Sequence, residues 1–574
     1  MSMTSFDHIT HGSARARRMG ILLLIGAAFF PGILEHPAVE AQALPDLVAE
    51  EIRGRIVSTG VSPKIRIGRE LIYASVTLPL FYERRDYQPA WVGQGGPEPQ
   101  AAVLMEAIAG AGGEGLNPAF YHLAELNRLQ ERIREDLSQG QPLDPDRLAD
   151  LDLLCTDAFL IYGTHLFAGC LNPETIDPEW TALRADIDLA DALEKSLEAD
   201  ALMETLKQLR PPQPGYIRLR RALAQYRDIV AGGGWPLTPG GPTLHPGDSG
   251  DRVMILRQRL RVTGDHPGEP AERVGLFDEQ LELAVTRFQW RHGLDPDGMV
   301  GPATLAELNV PAEDRLRQLA VNMQRWCWLP HYLGLRYILV NIADFKLDVI
   351  ETGRLVLSMR VVVGRDYRRT PVFTDQMTHL VLNPYWNIPE SIAIEDMLPK
   401  IKKDRGYLAA EKIRIFQGWS ADAPAIDPGT IDWDRVSTGS FPYRLRQDPG
   451  PANALGRVKF MFPNKHNVYL HDTPARQLFQ QTERAFSSGC IRVEEPIDLA
   501  AYLLQKDPEW SREAILAAIE KGEERSIPLP EPIAIHLLYW TAWVDQTQTV
   551  HFRKDIYGRD RLIDEALDQE PPRS

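Results

Sequence analysis

Four cysteines in 574 residues are too few for a disulfide framework, and the chain holds neither a C-x-x-C pair nor an H-E-x-x-H motif. Excess positive charge is also missing. There are 63 Lys and Arg against 79 Asp and Glu, a formal net charge of −16. That balance argues against a nucleic-acid partner held mainly through phosphates. No window is of low complexity, and the 44 % apolar and 25 % charged fractions exclude a disordered chain and a polytopic membrane protein. At roughly 100–200 residues per domain the length provides for three or four domains.

An apolar run does occur near the N-terminus, from Met19 to Phe30, shorter than the ~20 residues of a membrane span. Arg15, Arg17 and Arg18 precede it, and a small-residue stretch ending Ala41-Gln42-Ala43 follows. A charged region, a short apolar region and an A-x-A site predict a cleaved leader over residues 1–43 and export to the periplasm. The alternative is an uncut anchor, the one route by which the chain would touch a membrane. Export favours thiol pairing. Cys155 and Cys170, however, lie in the helically spaced run 151–171, about 22 Å apart along one helix and out of disulfide reach. Cys327, between Trp326 and Trp328, reads as a buried core thiol.

The rest divides by periodicity. Residues 44–235 are mostly helical, with apolar spacings of three and four over 102–111, 123–137, 149–166 and 216–229, broken by Pro/Gly clusters. Nothing there has a catalytic spacing, so a helical scaffold is expected. A Gly/Pro-rich stretch, 232–246, opens a module over 236–311. Three short amphipathic helices are expected there, round a core of Val253, Leu256, Leu260, Phe288 and Leu305. Its landmarks, from Leu244-His-Pro-Gly-Asp-Ser-Gly-Asp-Arg-Val253 to Asp297-Gly298, Val300-Gly301 and Thr304-Leu305, resemble the peptidoglycan-binding module of wall enzymes. From Arg336 the period becomes two. Segments 337–342, 345–350 and 355–363 read as a β-meander, with 380–382 and 468–470 as further strands. Residues 394–455, rich in Pro, Gly and Asp, read as an insertion rather than sheet. Residues 497–504 and 512–522 are helical, residues 312–525 form the catalytic unit, and 526–574 follow as a C-terminal segment.

Chemistry concentrates at the end of that unit. Val468-Tyr-Leu-His471-Asp-Thr-Pro474 ends a strand in a turn, and Ser487-Ser488-Gly489-Cys490-Ile491-Arg492 follows. A thiol needs a base, and His471 is the candidate. Gly489 lets the backbone turn sharply, so that its amide and that of Cys490 are expected to face a developing oxyanion. Arg492, on the strand face of Cys490, is placed to lower the thiol pKa or bind a substrate carboxylate. Ser487 is a candidate to orient His471, with a simple turn role the alternative, and Tyr469, on the side of His471, to contact an oxyanion, with core packing the alternative. Asn383 and Trp386 are candidate groove residues, with structural roles the alternative. Trp419 and Trp433 are either exposed for substrate or packed in a small subdomain. His466, His471 and Cys490 have ligand chemistry, yet no carboxylate partner or paired Cys accompanies them, so no metal is expected.

The set His471-Asp-Thr-Pro … Ser-Ser-Gly-Cys490-Ile-Arg resembles the active-site signature of the L,D-transpeptidases, the YkuD-type cysteine enzymes of peptidoglycan. Val363-Gly-Arg365, Thr370-Pro371, Leu382-Asn-Pro-Tyr-Trp386-Asn-Ile-Pro389 and Gly450–Pro463 are similar to the long periplasmic subgroup. One position departs from the commonest pattern: Ser488 stands where many relatives have His, which leaves His471 as sole imidazole base. The resemblance implies a multidomain α+β chain made of a helical scaffold domain, a three-helix peptidoglycan-binding module and a mostly-β catalytic domain with a capping insertion. It implies cell-wall biogenesis through 3→3 cross-links by a Cys490 thioester, with stem peptides and glycan as partners and no cofactor. The acceptor stays open: water in place of an amine would make a carboxypeptidase or endopeptidase, and a silent catalytic unit would leave a wall-binding scaffold. Oligomeric state stays open as well.

Overall fold

The computed structural model describes residues 43–57, 65–181, 187–267, 274–418, 420, 422–437, 439 and 441–569. Residues 1–42 of the expected leader, and Trp419, lie outside these.

The scaffold is built round the 24-residue helix Pro145–Ala168, which starts with Asp144 accepting from the Asp146 N–H and Pro in its first turn. By length and composition it is apolar enough to cross a membrane, but it is the buried core helix of the scaffold. Two buried acids on it hold the surrounding chain. Asp152 accepts from the Trp91 N–H at 2.7 Å, the Ala90 N–H at 3.0 Å and the Tyr82 hydroxyl at 2.6 Å. Asp157 accepts from the Ala74 N–H at 2.7 Å and the Tyr73 N–H at 3.1 Å. Buried carboxylates persist when satisfied in this way.

His122 joins the same network, with Nε2 2.7 Å from Asp157 and Nδ1 2.7 Å from Glu70. Burial opposes its charge, but the hydrogen bonds to Asp157 and Glu70 raise its pKa from 6.5 to about 9. A raised histidine stabilises the fold fully below its unfolded pKa, and that contribution is lost as pH rises through the folded value. Thermal stability should therefore fall between pH 6.5 and about 9. His122→Gln should be less stable at pH 6 and should lose most of that slope, as read by calorimetry against pH.

The module expected over 236–311 consists of helices Asp251–Val262, Glu279–Arg291 and Pro302–Leu308. Val253, Leu256, Leu260 and Phe288 are its buried centre, with Leu281, Val285 and Val300, while Leu305 is only partly buried at the edge. The module is docked rather than merely tethered. Arg553 donates to the Arg291 carbonyl at 3.0 Å, and the His292 ring stacks on Phe552 at 5.5 Å.

The unit that follows is built on one sheet of nine strands. These are β1 (Arg336–Asn341), β2 (Lys346–Glu351), β3 (Arg354–Gly364), β4 (Phe373–Leu382), β5 (Val458–Met461), β6 (Leu470–His471), β7 (Ala485–Ser487), β8 (Ile491–Val493) and β9 (Arg525–Leu538). Their order is β7-β3-β8-β6-β5-β4-β9-β1-β2, and β2 also pairs with β3, so the sheet closes on itself. Pairs β6/β8, β9/β1 and β7/β3 are parallel, and the others antiparallel. Val458, Phe460, Leu470, Ile491, Val493, Val361, Val363, Leu380 and Leu382 point into one buried core. The residues between them face the other way, and this alternation sets the functional face.

Three expectations need correction. The boundary at 525/526 cuts off β9, which pairs with both β4 and β1 inside the sheet. Pro528, Pro530 and Pro532 hid this strand, and the register shifts where they stand. The boundary at 311/312 likewise cuts through packing, because helix Ala312–Cys327 shares a core with helix Pro214–Ala231. Asn322 on that helix also accepts from the Thr541 N–H at 3.0 Å, and Arg325 pairs with Asp560 at 2.6 Å. Finally, the insertion is sheet in part. Trp386–Asn387, Ile413–Gln417, Ala425–Ile426 and Tyr443–Gln447 form a separate four-stranded sheet. Ile388, Met397, Ile401, Leu408, Ile415, Trp433 and Leu445 make its own core, which settles Trp433 as packing. Strands of two to five residues are too short to reveal alternation among prolines and glycines.

Candidate functional site

Register builds the site. His471 lies opposite Lys459 on β5 and opposite Arg492 on β8. Directly paired residues share a face, so the three side chains stand together on the face turned away from the core. Tyr469 and Cys490, two residues before His471 and Arg492, extend the row. The Tyr469 and His471 rings meet edge to face at 5.7 Å, and Lys459 Nζ lies 3.9 Å from the centre of the Tyr469 ring. Tyr469 also interacts with the side chains of Cys490 and Trp386, which links the cap sheet to Cys490.

His471 Nδ1 lies 2.5 Å from the Asp472 carbonyl, an acceptor that assigns the proton to Nδ1 and leaves Nε2 as the basic nitrogen. The Asp472 carboxylate is engaged elsewhere, accepting from the Arg457 N–H at 2.9 Å. Burial, then the charges of Arg492 and Lys459, push the His471 pKa down from 6.5 to about 3. The imidazole is therefore neutral at neutral pH. Half-buried Cys490 has Sγ 3.9 Å from the Asn467 carbonyl, and among the described residues no hydrogen bond joins it to His471. Burial raises its thiol pKa, against the pull of Tyr469, Lys459 and Arg492. The resting pair is thus neutral thiol and neutral imidazole. Catalytic hydrogen bonds of this kind often tighten only with substrate.

Alkylation follows from that state. The rate of Cys490 alkylation by iodoacetamide should keep rising through pH 9, without the plateau near pH 7 that marks a preformed thiolate. Lys459→Met should move the curve to still higher pH, as read by mass spectrometry of the adduct.

Ser487 and Gly489 build the turn: the sharp bend expected at Gly489 is present, and Ser487 takes the simple turn role. Ser487 Oγ donates to the Cys490 carbonyl at 2.5 Å and accepts from the Gly489 N–H at 3.2 Å. Ser487 therefore does not orient His471, and the Gly489 amide does not face a reacting atom. Gly489 has φ +108, a conformation that side-chain-bearing residues rarely adopt. Among the described residues no acceptor takes the Cys490 N–H, so that amide is left to donate to a ligand. Asn383 is no groove residue. Buried, with φ +47, its amide donates to the Ala518, Ile519 and Glu523 carbonyls at 3.3, 3.0 and 3.2 Å, closing helix Arg512–Glu520. Trp386 is half-buried beside Tyr469.

Two members were missed by sequence. Lys459 interrupts the apolar pair Val458 and Phe460, and that lone cation on a core strand was the available signal. Arg365 donates to the Ser487 and Phe486 carbonyls at 3.3 and 3.1 Å, and its charge acts on Arg492. Arg492 Nε is buried without a hydrogen-bond partner among the described residues. Three cations thus converge with no carboxylate bonded to them among the described residues, an arrangement suited to an anionic ligand. No group of three or more His, Cys, Asp or Glu that could hold a metal occurs among those residues.

Residues 335–510 match the family described as "L,D-transpeptidase catalytic domain". Residues 249–308 match "Putative peptidoglycan binding domain", and 76–223 match "Scaffold domain". A Haemophilus influenzae protein named "Putative L,D-transpeptidase" is 39 % identical over 250 residues, 44 % of this chain and 49 % of that protein. The chain thus spans about half the length of that relative. An L,D-transpeptidase structure from Stackebrandtia nassauensis aligns over 53 % of this chain and 96 % of its own, at 13 % identity and a TM-score of 0.20. One from Xylanimonas cellulosilytica aligns over 52 % and 98 %, at 16 % identity and a TM-score of 0.16.

Proposed function

The chain carries an L,D-transpeptidase catalytic domain beside a peptidoglycan-binding domain, and from that premise we propose that it is an exported enzyme that forms 3→3 cross-links in peptidoglycan. The observation that carries the reading is the row Lys459, Tyr469, His471, Cys490 and Arg492 on one sheet face. Donor binding brings a stem-peptide carboxylate to the cations and excludes water. Cys490 Sγ attacks the carbonyl carbon of the third stem residue, an L-centre, as His471 Nε2 takes the thiol proton. The oxyanion is met by the Cys490 N–H and the Tyr469 hydroxyl. The C–N bond breaks, D-Ala leaves with the proton held by His471, and a thioester remains. An amine from a neighbouring stem attacks the thioester carbonyl carbon as His471 Nε2 takes its proton, the C–S bond breaks, and that proton returns to Sγ to regenerate the Cys490 thiol. A low imidazole pKa suits this sequence, because the imidazolium forms only while substrate charge balances it.

Incubation with isolated sacculi followed by muropeptide mass spectrometry tests the reading. New dimers cross-linked between third residues are expected. Trimmed monomers alone would replace transfer by hydrolysis, and an unchanged profile would leave a binding scaffold.

A further inference from the structure

The turn that carries Cys490 leans on a second turn, residues 365–371 between β3 and β4. Thr370 Oγ1 donates to the Gly489 carbonyl at 2.9 Å, and the Arg365 N–H donates to the Ser487 carbonyl at 3.0 Å. Gly364 opens this second turn. A Cβ there would lie 2.2 Å from the Arg368 carbonyl, so the approach requires glycine. Arg368 reaches out of the turn in two directions. Its Nη1 donates to Ser488 Oγ at 2.9 Å and to Asp396 Oδ2 at 2.5 Å, while Nη2 pairs with Glu395. The side chain is 12 % exposed, so water competes little for these bonds. Glu395 and Asp396 lie in the π-helical turn Ala393–Met397 at the foot of the cap. Neither acid pairs with another cation among the described residues.

We propose that Arg368 is a positioning residue that couples the seating of the cap to the Ser488-Gly489-Cys490 turn. A planar guanidinium with two carboxylates on one side and a hydroxyl on the other transmits a shift of either element to its neighbour. An ammonium holds three acceptors in no fixed plane, so lysine replaces the charge but not the geometry. Ser488, the position at which the chain departs from the commoner His, is the receiving end of this link. Displacing the cap frees the Ser488 hydroxyl, and with it the peptide that presents the Cys490 N–H. The catalytic consequence rests on the transpeptidase reading: a donor bulky enough to reset the cap also resets the oxyanion-binding amide.

The link is tested by hydrogen exchange with mass spectrometry on the full chain, comparing Ser488→Ala with Glu395→Gln/Asp396→Asn. Each variant cuts one end and leaves the other residues in place. Ser488→Ala should speed exchange in 393–403, and the acid pair should speed it in 487–490, each about tenfold, with no change over helix 145–168 to show the fold intact. Arg368→Met should speed both, and Arg368→Lys should restore part of the protection. Exchange that rises only in the altered element would overturn the proposal. Acylation by a carbapenem supplies the second readout. Each cut should slow it about tenfold, and both cuts together no further, whereas a product near a hundredfold would mean independent effects and no coupling. A wild-type chain that resists acylation while its exchange remains coupled would defeat the functional reading and leave the link standing.

Discussion

Cys490→Ala should abolish cross-linking, a fall on the order of 10⁴–10⁶-fold, and should remove the single carbapenem adduct expected on the intact protein. The specificity of that adduct follows from where the other thiols lie. Cys155 and Cys327 are buried in separate cores, and burial pushes both thiols up. Cys170 donates to Gln324 at 3.1 Å, and burial raises its pKa to about 12. None of the three has a basic group beside it on an open sheet face. Intact-mass measurement after carbapenem treatment should show one addition on the wild type and none on Cys490→Ala. An adduct of undiminished yield on the variant would move the nucleophile elsewhere.

His471→Gln should lower turnover by about 10²–10⁴-fold, the usual weight of a general acid–base group. The pH profile sharpens this expectation. With burial and the neighbouring cations holding His471 near 3, the imidazole stays neutral from pH 5 upward. The acid limb of kcat/KM should therefore be missing near 6.5, where an unperturbed histidine would place it. Replacing Arg492 or Lys459 by a neutral residue removes a charge that disfavours the imidazolium, so the limb should move upward toward neutral pH in those variants. A wild-type profile that bends near 6.5 would assign the base to an unperturbed group.

Much of this was legible because strands and catalytic motifs leave marks of different kinds. The meander expected at 337–342, 345–350 and 355–363 appears as β1, β2 and β3 at 336–341, 346–351 and 354–364. Period-two counting put Arg492 on the face of Cys490 and Tyr469 on the side of His471, while only the chemistry of a thiol and its base joined the two pairs; the register of β6 and β8 puts His471 and Arg492 opposite each other. What was not legible depended on long-range pairing. Prolines concealed β9, and only its two neighbouring strands define it. Asn383 was read toward a groove because its neighbour Trp386 lies there, whereas its left-handed backbone turns the amide onto a helix end more than a hundred residues away. The Ser487 hydroxyl and the Gly489 amide were read toward the reaction because they lie beside Cys490, although a turn role was open to both. A turn of four residues has its own hydrogen bonds to satisfy, and those two residues supply them.

The place of β9 bears on how the chain is made. It lies between β4 and β1, although nearly 150 residues separate it from the end of β4, and among the described residues no other strand joins those two edges. Until it has emerged, two rows of unpaired N–H and C=O groups face solvent across an unfinished wall. Closing contacts of such sequence separation are slow to form, and exposed edges invite pairing between chains in the meantime. A chain stopped at 524 would retain every residue of the catalytic row and still be expected to collect as aggregate. The last tenth of the polypeptide therefore decides whether the first nine-tenths stay soluble.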